Sequence, residues 1–261
     1  MKPLALAAAL AAMAALAGAE AQAAPRSEPA EAQIIVTTKP RAVVELFTSP
    51  YCASCPEADA LFVKLAREPD LITLVMPVDS AGRESGPTQV FNERQAGYAG
   101  VRHQDYSYTP QAMINGTLDA DGTDASEIGS AVNKAASLLS VPVTAEIAGG
   151  ELVVTVGEGK AKSAATITVM PYLSSRTIAM RREKLTYANL VGDIVKLGTW
   201  SGKPMRQTLA LDKFAPYDGI VVLVQGGTLD RPGAIIGAAR LPLRAGSPAE
   251  RADAAAPYAH P

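Results

Sequence analysis

A chain of 261 residues with a formal net charge of −2 is long enough to bury one large core or two modest ones. Its balanced charge offers no electrostatic footprint for nucleic acid or anionic lipid. Two cysteines are too few for a disulfide scaffold, which leaves the pair as a local redox clip or as half of a metal site.

The chain opens with Lys2, an apolar run from Leu4 to Ala17 and the small-residue site Ala21-Gln22-Ala23. A basic start, an apolar stretch too short to span a bilayer and an Ala-x-Ala step read as a secretory signal over residues 1–23. No later apolar run approaches 18 residues, so no integral membrane segment is expected after cleavage, and the chain is expected to be exported. Residues 24–40 read as an arm in which Ile34-Ile35-Val36 is expected to add an edge strand.

Ala42 to Phe47 reads as a buried strand with one charged exception, Glu45. Then comes Tyr51-Cys52-Ala53-Ser54-Cys55-Pro56, and after it Ala58, Leu61, Phe62 and Leu65 fall on one face of a helix. Glu57 and Asp59 in its first turn suit the helix dipole. A strand over Leu71 to Val78 follows, then a helix over Thr88 to Ala99, a polar loop, a strand over Gln111 to Ile114 and an Asn115-Gly116 hairpin turn. Asp124 or Ser126 caps a last helix that runs to about Leu139.

Beyond Ser140 the texture changes to short β-prone segments separated by Gly and Pro turns. They are Val143 to Ile147, Glu151 to Val156, Ala164 to Tyr172, Arg176 to Met180, Leu209 to Leu211, Ile220 to Gln225 and Ile235 to Leu241. Leu185 to Leu197 is ambiguous between strand and helix, and residues 245–261 read as a disordered tail. The expected architecture is an α/β thioredoxin-like domain over residues 41–140, followed by an all-β sandwich-like domain over residues 141–244.

Val43 to Ser49, Cys52-Ala53-Ser54-Cys55-Pro56, Ala58 to Leu61 and Tyr108-Thr109-Pro110-Gln111 together resemble a known family. Leu185 to Val191, Leu197 to Gly202, Val222 to Gln225 and Ile236 to Ala239 extend the likeness over nearly all of the mature chain. It is similar to the secreted bacterial thioredoxin-like proteins catalogued as domain of unknown function 1223. The resemblance implies a thioredoxin-like fold and export, and thiol chemistry by analogy alone.

A Cys-x-x-Cys pair at a strand-to-helix junction supplies a nucleophile and a resolving thiol, here Cys52 and Cys55. In an oxidising compartment such a pair tends to close as a disulfide. The resemblance implies that the Thr109-Pro110 step is cis and faces the cysteines, so that Tyr51, Thr109 and Pro110 line a substrate groove. It also implies that Glu45 lies behind Cys55 as a proton relay. No organic cofactor is expected, and the expected partners are envelope proteins or small-molecule thiols. Two other readings compete: an envelope binding module with a permanent disulfide, and a metal-handling chaperone that adds His103 as a candidate ligand to the two cysteines.

Overall fold

In the computed structural model of the chain, the described residues are 39–79, 87–160, 163–180, 183–243. The expected signal segment, the Ile34-Ile35-Val36 strand and the tail lie outside them.

The first strand, β1 (Ala42–Thr48), is buried along its whole length and pairs in parallel with β2 (Leu71–Pro77) and antiparallel with β3 (Gln111–Ile114). A strand flanked on both edges and covered on both faces reads as an unbroken apolar run, which is what Ala42 to Phe47 shows. Helix α1 (Cys55–Leu65) joins β1 to β2, and α2 (Pro87–Val101) precedes β3. Asn115 and Gly116 take φ values of 45° and 65°, the left-handed region that suits Asn-Gly, and turn β3 into β4 (Leu118–Asp121). Asn115 also ties the hairpin down: its Oδ1 accepts from the Val43 N–H at 2.7 Å and its Nδ2 donates to the Ala135 carbonyl at 2.9 Å. Of the two candidate caps, Asp124 starts α3 (Ala125–Ala135), accepting from the N–H groups of Ser126 and Glu127.

The second half of the chain overturns the expected fold class. Strands dominate the described residues, three α-helices accompany them, and a single mixed sheet of nine strands takes members from both halves. Its order is β12 (Pro232–Pro242), β11 (Gly219–Gly227), β7 (Ala165–Met180), β8 (Glu183–Val191), β2, β1, β3, β4, with β9 (Val195–Trp200) beside the first part of β7. The join is β8, which lies parallel to β2 at Leu190 and Val75 and sends the Asn189 amide to the Thr73 hydroxyl at 2.9 Å. A thioredoxin-like domain followed by a separate sandwich is therefore not the architecture. The described residues belong to one compact unit, with no break near Ser140.

Three apolar clusters cover this sheet. Val44, Leu46, Ala58, Phe62, Val75, Ile128 and Leu190 fill the space under α1 and α3. On the opposite face, Val43, Phe47, Phe91 and Tyr98 pack with Met170, Val221 and Ile235, so one cluster takes side chains from both halves. A second, three-stranded sheet, β10 (Met205–Ala210), β6 (Glu151–Val156) and β5 (Val143–Ala148), covers the far end through Leu152, Val154, Ile167, Val222 and Trp200.

Candidate functional site

At the end of β1 the chain turns sharply, with the Cys52 N–H donating to the Ser49 carbonyl at 3.2 Å, and re-enters the fold as α1 at Cys55. Cys52 and Cys55 are joined as a disulfide with Cα atoms 5.4 Å apart. The two sulfurs have different surroundings. Cys52 is half-buried next to the exposed Tyr51, Ala53 and Ser54, whereas Cys55 is fully buried as the first residue of α1. The Ser49 N–H points at the Cys55 sulfur from 3.4 Å, and the positive end of the α1 dipole lies there as well.

Across from this turn lies the Thr109-Pro110 step, whose peptide is cis. The Thr109 carbonyl oxygen is 3.5 Å from the Cys52 sulfur. A polar frame holds the segment in place. Gln95 donates to the Tyr108 carbonyl at 2.8 Å and to Gln111 at 3.0 Å, and Asp119 accepts from Arg102, Tyr108 and Gln111. Burial works against the Asp119 charge, but Arg102 and these hydrogen bonds outweigh it and hold the carboxyl below its usual range. Thr109 is half-buried, Pro110 is buried and Tyr51 is 59% exposed, so Tyr51 and Cys52 form the solvent-facing rim of this turn.

Glu45 does not join them. Side chains alternate along β1, so Val44, Leu46 and Thr48 face α1 while Val43, Glu45 and Phe47 face α2. Glu45 is fully buried there, accepting from the Arg94 Nε at 2.7 Å and from the Tyr98 hydroxyl at 2.5 Å. Gln225 of β11 completes the network, accepting from Arg94 at 2.9 Å and donating to the Tyr98 oxygen at 2.8 Å. Burial disfavours the Arg94 cation, yet the Glu45 carboxylate more than offsets it and holds the guanidinium above its ordinary value. Glu45 is thus a structural acid that links β1, α2 and β11, and the sheet separates it from Cys55.

His103 is exposed just beyond the end of α2, at φ 57°, and does not approach the cysteines as part of a ligand cluster. Among the described residues no three His, Cys, Asp or Glu side chains gather as a metal site, and no helix is long and apolar enough to cross a membrane.

Glu57 lies in the first turn of α1 as expected, but Asp59 does not share the dipole role expected of it there. The structure buries Asp59 to 3% exposure on the same side of α1 as Cys55. Its signal was the spacing 55, 58, 59, 62, a helical face read one residue set away from the all-apolar one. Burial pushes the Asp59 carboxyl up to about 7, and the Thr48 hydroxyl pulls weakly the other way.

These features define a mixed-sheet protein with an unequally exposed Cys-x-x-Cys disulfide at a strand-to-helix turn. Residues 43–225 match the family described as "Protein of unknown function (DUF1223)", and the chain belongs to that family. A crystal structure of Protein AGR_C_4864 from Agrobacterium tumefaciens is similar over 80% of this chain and 97% of that one, at 31% identity and a TM-score of 0.71. HBP35 of Porphyromonas gingivalis, at 14% identity and a TM-score of 0.52, shares the fold over 85% of this chain and 78% of its own. No functionally curated protein matches.

Proposed function

We propose that the protein carries out thiol–disulfide exchange through Cys52 and Cys55. The observation that carries this reading is the unequal placement of the two sulfurs: Cys52 can be reached from solvent and Cys55 cannot. A partner thiolate can attack the disulfide only at Cys52, and Cys55 then leaves as a thiolate that the Ser49 N–H and the α1 N-terminus stabilise. In the other direction the Cys52 thiolate attacks a partner disulfide, and Cys55, one helical turn inside, resolves the mixed disulfide. Tyr51 and the Thr109 segment border the approach, so the partner is an envelope protein or a small thiol presenting an accessible sulfur.

We place this reaction in the bacterial envelope, on the strength of the basic, apolar and Ala-x-Ala order of residues 1–23. Equilibration with glutathione of defined redox ratio, followed by alkylation of free thiols, tests the proposal. An intermediate potential is expected. A value well below about −300 mV would make the disulfide a permanent clip and leave the chain as a binding module.

A further inference from the structure

We infer that the Asp59 carboxylate is the proton acceptor for the Cys55 thiol when Cys55 resolves a mixed disulfide. The inference rests on the exchange reading above and gives that reaction a second ionisable group.

Cys55 and Asp59 stand at i and i+4 on α1, and a helical side chain leans back towards the residue one turn earlier. Both are buried, on the side of α1 that packs against β1, β2 and β8. They also converge on the same two residues at the end of β1, for the Ser49 N–H meets the Cys55 sulfur and the Thr48 hydroxyl is the polar neighbour of Asp59. Among the described residues, neither Asp59 oxygen has a hydrogen-bond partner of full geometry, nor has the Thr48 hydroxyl. Buried acids are ordinarily paired, so an orphaned one on the redox helix itself, one turn beyond Cys55, calls for a role outside the resting disulfide state.

The surroundings suit that role. β1 brings Thr48 to this face, β2 brings the apolar Leu71 and Val75, and β8 brings Leu190 and the phenol of Tyr187. Burial first, and the Asp59 charge second, push the Tyr187 phenol above its usual range, which keeps it neutral near pH 7. Asp59, held at about 7, is then the group on this face that changes charge in the physiological range, well placed to take a thiol proton and return it.

The step balances without a further reactant. The Cys55 S–H bond breaks and its proton passes to Asp59. The sulfur electron pair forms the bond to the Cys52 sulfur, and the partner sulfur leaves Cys52 as a thiolate that takes a proton from water. The cysteine pair is oxidised by two electrons and the partner disulfide is reduced by two.

The test is single-turnover release of glutathione from Cys52 after the reduced protein is mixed with oxidised glutathione, followed from pH 5 to 9. The wild-type rate should rise through an inflection near 7. Asp59→Asn should lose the inflection and fall about 100-fold at neutral pH, the lower end of what positioned proton transfer supplies. Capture of glutathione on Cys52 in the Cys55→Ser background should not respond to Asp59→Asn. Should Asp59→Asn misfold, Thr48→Val serves in its place and should move the inflection upward. An unchanged profile in either variant overturns the role of Asp59 and leaves exchange standing. Failure of the Cys55→Ser chain to capture glutathione overturns both.

Discussion

The two faces of β1 treat a buried carboxylate in opposite ways. On the α2 face, Glu45 has a guanidinium, a phenol and, through them, a glutamine from a strand 180 residues later in the sequence. On the α1 face, Asp59 has neither a cation nor a fully formed hydrogen bond among the described residues. Both groups are out of water, so the cost of burying charge applies to each. The first site offsets that cost with partners and ties together elements from both ends of the chain. At the second, burial acts through the acid's proton affinity, which rises into the range where thiols exchange protons. A buried acid with every partner in place is architecture, and one left without them next to a reactive pair is a candidate for chemistry.

Breaking the first site should give the largest effect. Arg94→Met strands the Glu45 charge and should destabilise the fold by about 3–5 kcal/mol in urea denaturation. Adding Glu45→Leu to Arg94→Met should recover much of that loss, because the cost lies in the uncompensated charge rather than in the missing pair. If the double variant were as unstable as the single one, the network would be acting through packing.

At the second site the sign reverses. The folded protein holds a proton on Asp59 up to about 7, whereas an unfolded aspartate releases it near 3.8. Through that window the folded state binds more protons, so raising the pH removes stability, and above about 7 the loss is complete. Asp59→Asn should therefore stabilise the protein by about 2–4 kcal/mol at pH 8, with the gain fading towards pH 4. Thermal denaturation of the two proteins across pH checks this. A variant that gains stability while losing turnover would separate the chemical role of Asp59 from any structural one.

Reduction of the disulfide comes next in size. It closes a loop with a sequence separation of 3, for which chain entropy gives no more than about 2 kcal/mol. Unfolding in the presence and absence of dithiothreitol should differ by that amount or less. A larger loss would mean that the pair serves as a staple.

What could be read from the sequence followed from how local each signal was. β1, the cysteine turn, the Asn115-Gly116 hairpin and the Asp124 cap depend on neighbours a few residues away, and each is found in the structure. The joining of the two halves is not local. Leu71 to Val78 shows an apolar strand without indicating that β8 lies on its outer edge. Likewise Leu173-Ser174-Ser175 reads as a break between two short strands, yet β7 runs through it. The Asp218 carboxylate makes this possible by accepting from both the N–H and the hydroxyl of Ser174, at 3.0 and 2.9 Å. For the site, the cysteines and Thr109-Pro110 were legible as motifs, but the choice between Glu45 and Asp59 depended on which face of β1 each helix covers. Alternation gives the parity of side chains along a strand and says nothing of which helix lies on which face.

The smallest effect is the sharpest probe of that choice. Thr48→Val removes a hydroxyl that is itself buried without a full hydrogen bond, and such relief should yield up to about 1 kcal/mol. The same hydroxyl pulls the Asp59 carboxyl downward, so its loss raises the cost of the charged acid. Well below pH 7, where Asp59 is protonated in the folded chain with or without the Thr48 hydroxyl, only the relief acts and the variant should be the more stable. Above pH 7 the two contributions oppose each other, so the gain should shrink or reverse. A stability difference that stayed constant from pH 4 to 8 would show that Thr48 and Asp59 do not interact, and the asymmetry between the two faces of β1 would then lose its link to the thiols.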